Sequence, residues 1–168
     1  RSLKDLRKNY KVVNYSATYG VGASTLARNT GMSKSEAKML LEAFWSRNWS
    51  VEGVAKDLEV KDLLGFMWVK NPVSKFWSSL RNEKDRFSTL NQGTGVYCFD
   101  NWVKICREKN LRTVGQFHDE VIAIVERGKE DEVMTIMNNS IEDLNKVLKL
   151  NVPLGMEAQF GNTYADIH

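Results

Sequence analysis

The sequence predicts an α+β protein on three observations. Several long segments repeat apolar residues at three- and four-residue steps, Gly65 to Trp77 is rich in aromatic and β-branched residues around Asn71-Pro72, and Thr113 to Val125 is β-rich on both sides of His118-Asp119. At 168 residues and 42% hydrophobic composition, the chain is long enough for one compact domain or two small lobes sharing a core. Its 24 Lys and Arg against 21 Asp and Glu leave a formal charge of +3, too small an imbalance to identify a polyanionic partner. No stretch approaches the ~20 apolar residues of a membrane span, so a soluble, cytoplasmic protein without a membrane partner is expected. Cys98 and Cys106 lie in one predicted helix, roughly 12 Å apart along its axis, and should remain free thiols in a reducing compartment.

From Ser2 to Tyr19 no Gly or Pro intervenes, and Leu3, Leu6, Tyr10 and Val13 predict an amphipathic helix that ends at Tyr19-Gly20. A short helix over Ser24 to Arg28 stops at Gly31. Ser33 and Glu36 form a capping box, and Ala37, Leu40, Leu41, Phe44 and Trp45 give the next helix an apolar face. A further helix is predicted from Trp49 to Leu64, weakened at Gly53, followed by a hairpin or long loop over Gly65 to Trp77.

Thr89 to Lys109 is helical again, with Leu90, Val96, Phe99, Trp102, Val103 and Cys106 facing inward. Gly93 and Gly95 each cost that helix about 1 kcal/mol, which suggests close approach of something to its backbone. Thr113 to Val125 reads as two short strands joined at the acidic triplet. Lys129 to Leu150 is an amphipathic helix with Val133, Ile136, Met137, Ile141, Leu144, Val147 and Leu148 inward, and Glu130 to Glu132 suit its amino end. Gly155 to Phe160 is the predicted final strand.

Two constellations carry chemistry. Arg7, Lys11, Tyr15 and Tyr19 follow at four-residue steps, so they stack along one helical stripe. Such a stripe is either a solvated basic face running into a packed aromatic one, or a grip for a polyphosphate followed by planar surfaces for a sugar and base. His118-Asp119-Glu120 is either the polar tip of a hairpin or a place for a hard cation, with Asp119 supplying carboxylate oxygen and substrate phosphates filling other positions. Glu120 alternates to the other side of an extended strand, and His118 suits either a general base or a donor to a phosphate or sugar.

Together these residues resemble the family A, polymerase I-like DNA polymerases. "RKNYKVVNYSATYG" (Arg7 to Gly20) resembles motif B, Arg-x3-Lys-x3-Phe/Tyr-x3-Tyr-Gly, and "QFHDEV" (Gln116 to Val121) resembles motif C of the palm. "NQGTGVY" (Asn91 to Tyr97) is similar to the segment that supplies a glutamine near the primer-template, and "GNTYADIH" (Gly161 to His168) is similar to the family's carboxyl end. Four matches in order over the whole chain make the resemblance specific, and the long, tryptophan-bearing stretch from Trp68 to Arg86 looks more like viral or phage members. The resemblance implies helical fingers over residues 1–64, a connector over 65–88 and a C-terminal palm part over 89–168.

It also implies roles. Arg7 and Lys11 would contact the triphosphate of an incoming dNTP, with Lys11 stabilising or protonating the departing pyrophosphate. Tyr15 would lie against the nucleotide, its hydroxyl implying relaxed exclusion of dideoxynucleotides, and Tyr19 and Gly20 would meet the templating base. Asp119 would bind the two catalytic Mg²⁺ ions, His118 would contact the primer end and Glu120 would tune the site. Gln92 would reach the minor-groove side of the primer-template DNA, and His168 would lie near the active site. Where the family often has Asn four residues before the glutamine, this sequence has Ser88.

The family's motif A, with its second aspartate, has no counterpart here, nor has the thumb. Two-metal phosphoryl transfer clamps both reacting oxygens between ions about 4 Å apart, which one aspartate does not hold. The expectation is a C-terminal piece of a split or processed polymerase, inactive alone and completed by an N-terminal piece that covers its exposed apolar faces. Two alternatives stand beside it: a catalytically inactive DNA-binding module derived from the polymerase fold, and a metal-dependent phosphohydrolase built on His118-Asp119, for which further His and Asp ligands are lacking.

Overall fold

The computed structural model describes residues 3–167, with the side chains of Asp5, Leu6 and Asn9 outside the described set, so the expectations for Leu6 and His168 fall outside it. The chain divides into two compact units, Arg1–Gly93 and Thr94–His168. Both mix helices with antiparallel strands, the expected α+β class. Among the described residues no helix is long and apolar enough to cross a membrane.

In the first unit, α1 (Leu3–Thr18), α2 (Ala23–Thr30) and α3 (Lys34–Arg47) close around Val13, Leu26 and Ala37, all buried. The predicted capping box starts α3: Ser33 Oγ accepts from the Glu36 amide at 3.2 Å and the Ser33 amide donates to Glu36 Oε2 at 2.8 Å. The amphipathic pattern of α1 is only partly used. Val12 and Val13 meet the core, whereas Leu3 and Tyr10 are 85% and 62% exposed, because α2 and α3 cover only the later turns of the helix.

The helix predicted to Leu64 is shorter than expected. It ends at Asp57 as α4 (Trp49–Asp57), and the chain continues as β1 (Val60–Leu63), paired antiparallel with β2 (Phe66–Lys70) from Val60↔Val69 to Leu63↔Phe66. The turn between them is two residues, Leu64 and Gly65, with φ of 55° and 79°, the left-handed geometry that suits a tight hairpin. Hairpin pairing with the strand just beyond this tight turn thus outweighs the local helical pattern. β3 (Trp77–Leu80) completes the sheet on the other side of β2. Asn71, 5% exposed, holds the β2–β3 connection by accepting at Oδ1 from the amides of Val73 (2.8 Å) and Ser74 (3.0 Å).

Helix α5 (Arg86–Glu108) runs through the boundary between units and supplies Trp102, Val103 and Cys106 to the second core, with Leu111 and with Met137 and Leu144 of α6 (Glu130–Leu148). The hairpin β4 (Thr113–Phe117) and β5 (Glu120–Ala123) lays Val121 and Ala123 on this core. Val96 and Val147, expected inward, are 57% and 74% exposed, since the apolar arcs of both helices are wider than the surface this core offers. Cys98 and Cys106 are buried free thiols, as expected, and burial pushes both thiols up in pKa.

The predicted final strand takes no regular structure and joins no sheet among the described residues. Its alternation is real, for Leu154, Met156 and Ala158 pack on the core. What replaces a ladder is one side chain: Asn145 donates from Nδ2 to the Leu154 carbonyl and accepts the Leu154 amide at Oδ1, both at 2.8 Å. Replacing Asn145 with alanine removes both bonds and should cost about 1–2 kcal/mol in urea unfolding, with faster amide exchange from Leu154 onward.

An ion pair joins the end of α5 to α6. Asp143 accepts from Lys109 at 2.7 Å and from Lys146 at 3.0 Å, and these hydrogen bonds, that from Lys109 foremost, hold its carboxyl below the usual range. A depressed folded-state pKa contributes stability above the unfolded value near 4, lost as pH falls through the folded value. The thermal midpoint should therefore drop more below pH 4 for the unaltered chain than for Asp143→Asn, and the two should differ most at neutral pH.

Candidate active site

Helix α1 carries the predicted stripe on its solvent side because residues two positions apart point about 200° away from each other, so burying Val13 and Ala17 turns Lys11 and Tyr15 outward. Tyr15 and Tyr19 are 56% and 43% exposed, and Lys11 Nζ lies 5.7 Å from the Tyr15 ring centroid. Arg7 and Lys11 form no ion pair among the described residues. Together with Lys4 and Lys8 they line an open depression on the helix. Lys4 and Lys8 were not singled out from the sequence, although their four-residue spacing repeats that of Arg7 and Lys11 one stripe over.

At the end of α1, Gly20 takes φ 66° and its Cα faces the Lys84 carbonyl, where an added Cβ would sit 3.2 Å from that oxygen. Both facts require glycine, and the close neighbour seen here is Lys84. Gln92, predicted separately, meets the stripe directly: its Nε2 donates to the Tyr19 hydroxyl at 2.6 Å. Residues 73 apart in sequence thus converge at the end of α1. The close approach expected at Gly93 and Gly95 is met only weakly at the first, where an added Cβ would lie in ordinary contact with the Asn71 amide nitrogen at 3.5 Å, and not at Gly95, where an added Cβ would meet nothing within 4 Å among the described residues.

In the second unit the acidic triplet forms a tight hairpin, with Phe117 opposite Glu120 and only His118 and Asp119 in the loop. His118 adopts φ 49°, a conformation that costs a non-glycine residue about 1 kcal/mol and lifts the loop clear of the core. His118 and Asp119 are exposed, and Asp119 has no hydrogen-bond or ion-pair partner among the described residues. Glu120 faces the side of the hairpin away from Val121 and Ala123. No group of three or more His, Cys, Asp or Glu gathers among the described residues to hold a metal ion. Asp119 fits Mg²⁺ as a hard oxygen donor for a site that other ligands must share.

The terminal segment folds back on itself: the Asp166 carboxylate accepts the amides of Asn162 (2.9 Å) and Thr163 (2.7 Å). Gly161 allows this, since a Cβ there would come within 2.5 Å of the Asp166 Cβ. His168 lies outside the described residues.

No family model matches the chain. It is 25% identical over 98% of its length to DNA polymerase I of Pseudomonas aeruginosa, and 24% identical over 94% of its length to DNA polymerase I of Lactococcus lactis subsp. lactis. It spans about a fifth of the length of these relatives (19% and 20%). Its fold resembles the POL domain of Pol1 from M. smegmatis, solved in complex with DNA primer-template and dNTP, at a TM-score of 0.64 and 21% identity over 89% of this chain and 29% of that one.

Proposed function

We propose, from a chain that corresponds in sequence and fold to the C-terminal part of a family A DNA polymerase, that it takes part in template-directed DNA synthesis, adding nucleotides from dNTPs to a primer 3′ end. The observation that carries this reading is the outward Arg7–Lys11 stripe, without an ion pair among the described residues, that ends at the Tyr19–Gln92 contact; the second unit separately presents Asp119, exposed on a two-residue loop. Residues 1–64 act as fingers and residues 89–168 as the palm part. Arg7 and Lys11 hold the triphosphate, and Lys11 places positive charge where the departing pyrophosphate gains negative charge. Tyr15 offers its ring to the nucleotide, Tyr19 and Gly20 to the templating base. Gln92, His118 and His168 contact the DNA. Asp119 would hold Mg²⁺, which when bound supplies charge neutralisation on the phosphate oxygens, and Glu120 orients the hairpin beside it.

The chain works together with an upstream segment that brings the second carboxylate and the thumb, whether joined to it or separate. The relatives' fivefold greater length supports this, as do Leu3, Tyr10 and Phe117, apolar side chains more than half exposed. Mixing the chain with the upstream segment and following elution by gel filtration tests it: co-elution as a 1:1 complex is expected, and independent elution of both at micromolar concentration contradicts it. Tight binding of duplex DNA without nucleotide addition by the assembly would favour the inactive DNA-binding module instead.

A further inference from the structure

The three-stranded sheet of the first unit plays no part in the proposed reaction, yet its two faces differ sharply. Cα partners in an antiparallel sheet share a face, and alternate residues along a strand do too. By the observed register, Val60, Met67, Val69, Ser78 and Leu80 share one face, on which Val69 and Leu80 are buried at 2% and 7% exposure. The other face collects Lys61, Leu63, Phe66, Trp68, Lys70 and Trp77. It holds three aromatic rings and two lysines; within the strands its one acidic neighbour, Asp62, points to the first face, and Glu59, just before β1, brings a single carboxylate to its edge.

The cations and rings are already in register with each other. Lys61 Nζ stands 3.8 Å from the Trp77 ring centroid and Lys70 Nζ 5.6 Å from it. Glu59, just before β1, pairs with Lys70 at 2.9 Å, its own side chain 60% exposed and that of Lys70 36%, a link that solvent screens in part. Phe66, at the hairpin end of β2, is 67% exposed with no cation over its ring among the described residues. An antiparallel sheet that presents aromatic rings with interleaved lysines matches the two requirements of unpaired nucleic acid: flat apolar surfaces for bases and positive charge for the phosphates between them.

We infer that the Lys61–Phe66–Trp68–Lys70–Trp77 face of the β1–β2–β3 sheet binds single-stranded DNA, stacking bases on Phe66 and Trp77 while Lys61 and Lys70 take the phosphates. Lys61 leaves the Trp77 ring for a phosphate when a base occupies it. Duplex DNA, whose bases are already stacked and paired, is not held in this way. The inference concerns binding only and stands whether or not the chain synthesises DNA.

The test is fluorescence anisotropy of a labelled twelve-residue oligo-dT and of a labelled blunt duplex with the full 168-residue chain. Phe66→Ala is expected to weaken oligo-dT binding roughly tenfold, as loss of one stacking ring does, and to leave duplex binding within about twofold. Lys61→Gln is expected to weaken oligo-dT binding and flatten its salt dependence, and Phe66→Tyr, which keeps the ring, to bind as the unaltered chain. Oligo-dT affinity unchanged in both Phe66→Ala and Lys61→Gln, equal loss for the duplex, or no oligo-dT binding by the unaltered chain would each overturn the inference. Circular dichroism of each variant separates lost contacts from lost folding.

Discussion

Replacing Asp119 with alanine is expected to lower nucleotide addition by about a thousandfold or more in the assembly of this chain with its upstream segment, while leaving the assembly intact. A carboxylate that holds a divalent ion against a reacting phosphate contributes several kcal/mol at the transition state, and each 1.36 kcal/mol is tenfold in rate. The side chain is exposed on a loop and touches nothing else described, so its removal should leave the thermal midpoint of the chain within about 1 °C. Single-turnover primer extension alongside a melting curve checks both halves of this expectation. A large loss of stability would assign Asp119 to folding, and an unchanged rate would remove it from the chemistry.

Replacing Lys11 with alanine is the second large effect, on the order of a hundredfold in kcat/KM for the incoming dNTP. Lys11 sits midway along the outward stripe with its ammonium near the Tyr15 ring and no carboxylate neutralising it among the described residues. In the proposed role its charge acts most as negative charge develops on the departing pyrophosphate, so kcat should fall more than KM rises. Arg7→Ala should show the opposite division, a raised KM with a smaller change in kcat, since a guanidinium grips the triphosphate before and during reaction alike. Steady-state extension at varied dNTP concentration distinguishes the two patterns.

Local rules were legible where the side-chain chemistry of a few adjacent residues decides the geometry. The Ser33–Glu36 capping box, the Gly31 stop and the His118–Asp119 turn each depend on a handful of adjacent residues, and each forms as their chemistry requires. The failures share a different cause. Leu58 to Leu64 carries a helix-compatible pattern, but its partner strand begins at Phe66 across a two-residue turn whose strain at Leu64 no propensity announces. Gly155 to Phe160 alternates as a strand should, yet alternation shows which side chains meet the core and not where the backbone finds its hydrogen bonds; here Asn145 supplies the first of them.

The same distinction runs through the candidate site. The stripe on α1 follows from periodicity, and its outward direction from burial of Val13 and Ala17. The Gln92–Tyr19 bond joins positions 73 residues apart, which no spacing rule connects. The lysine and aromatic face of the three-stranded sheet was equally hidden. Lys61, Phe66 and Trp77 have no common period along the chain, and only strand register gathers them.

In the proposed reading this chain supplies the dNTP-binding and one metal-binding element of a polymerase completed by an upstream segment. Primer extension with Mg²⁺ and all four dNTPs, run with this chain alone, with the upstream segment alone and with the two together, tests it most directly. Extension in the mixture only, lost when Asp119 is alanine, is the predicted result; no extension from a stable mixed complex, or equal extension with the Asp119→Ala chain, would contradict it.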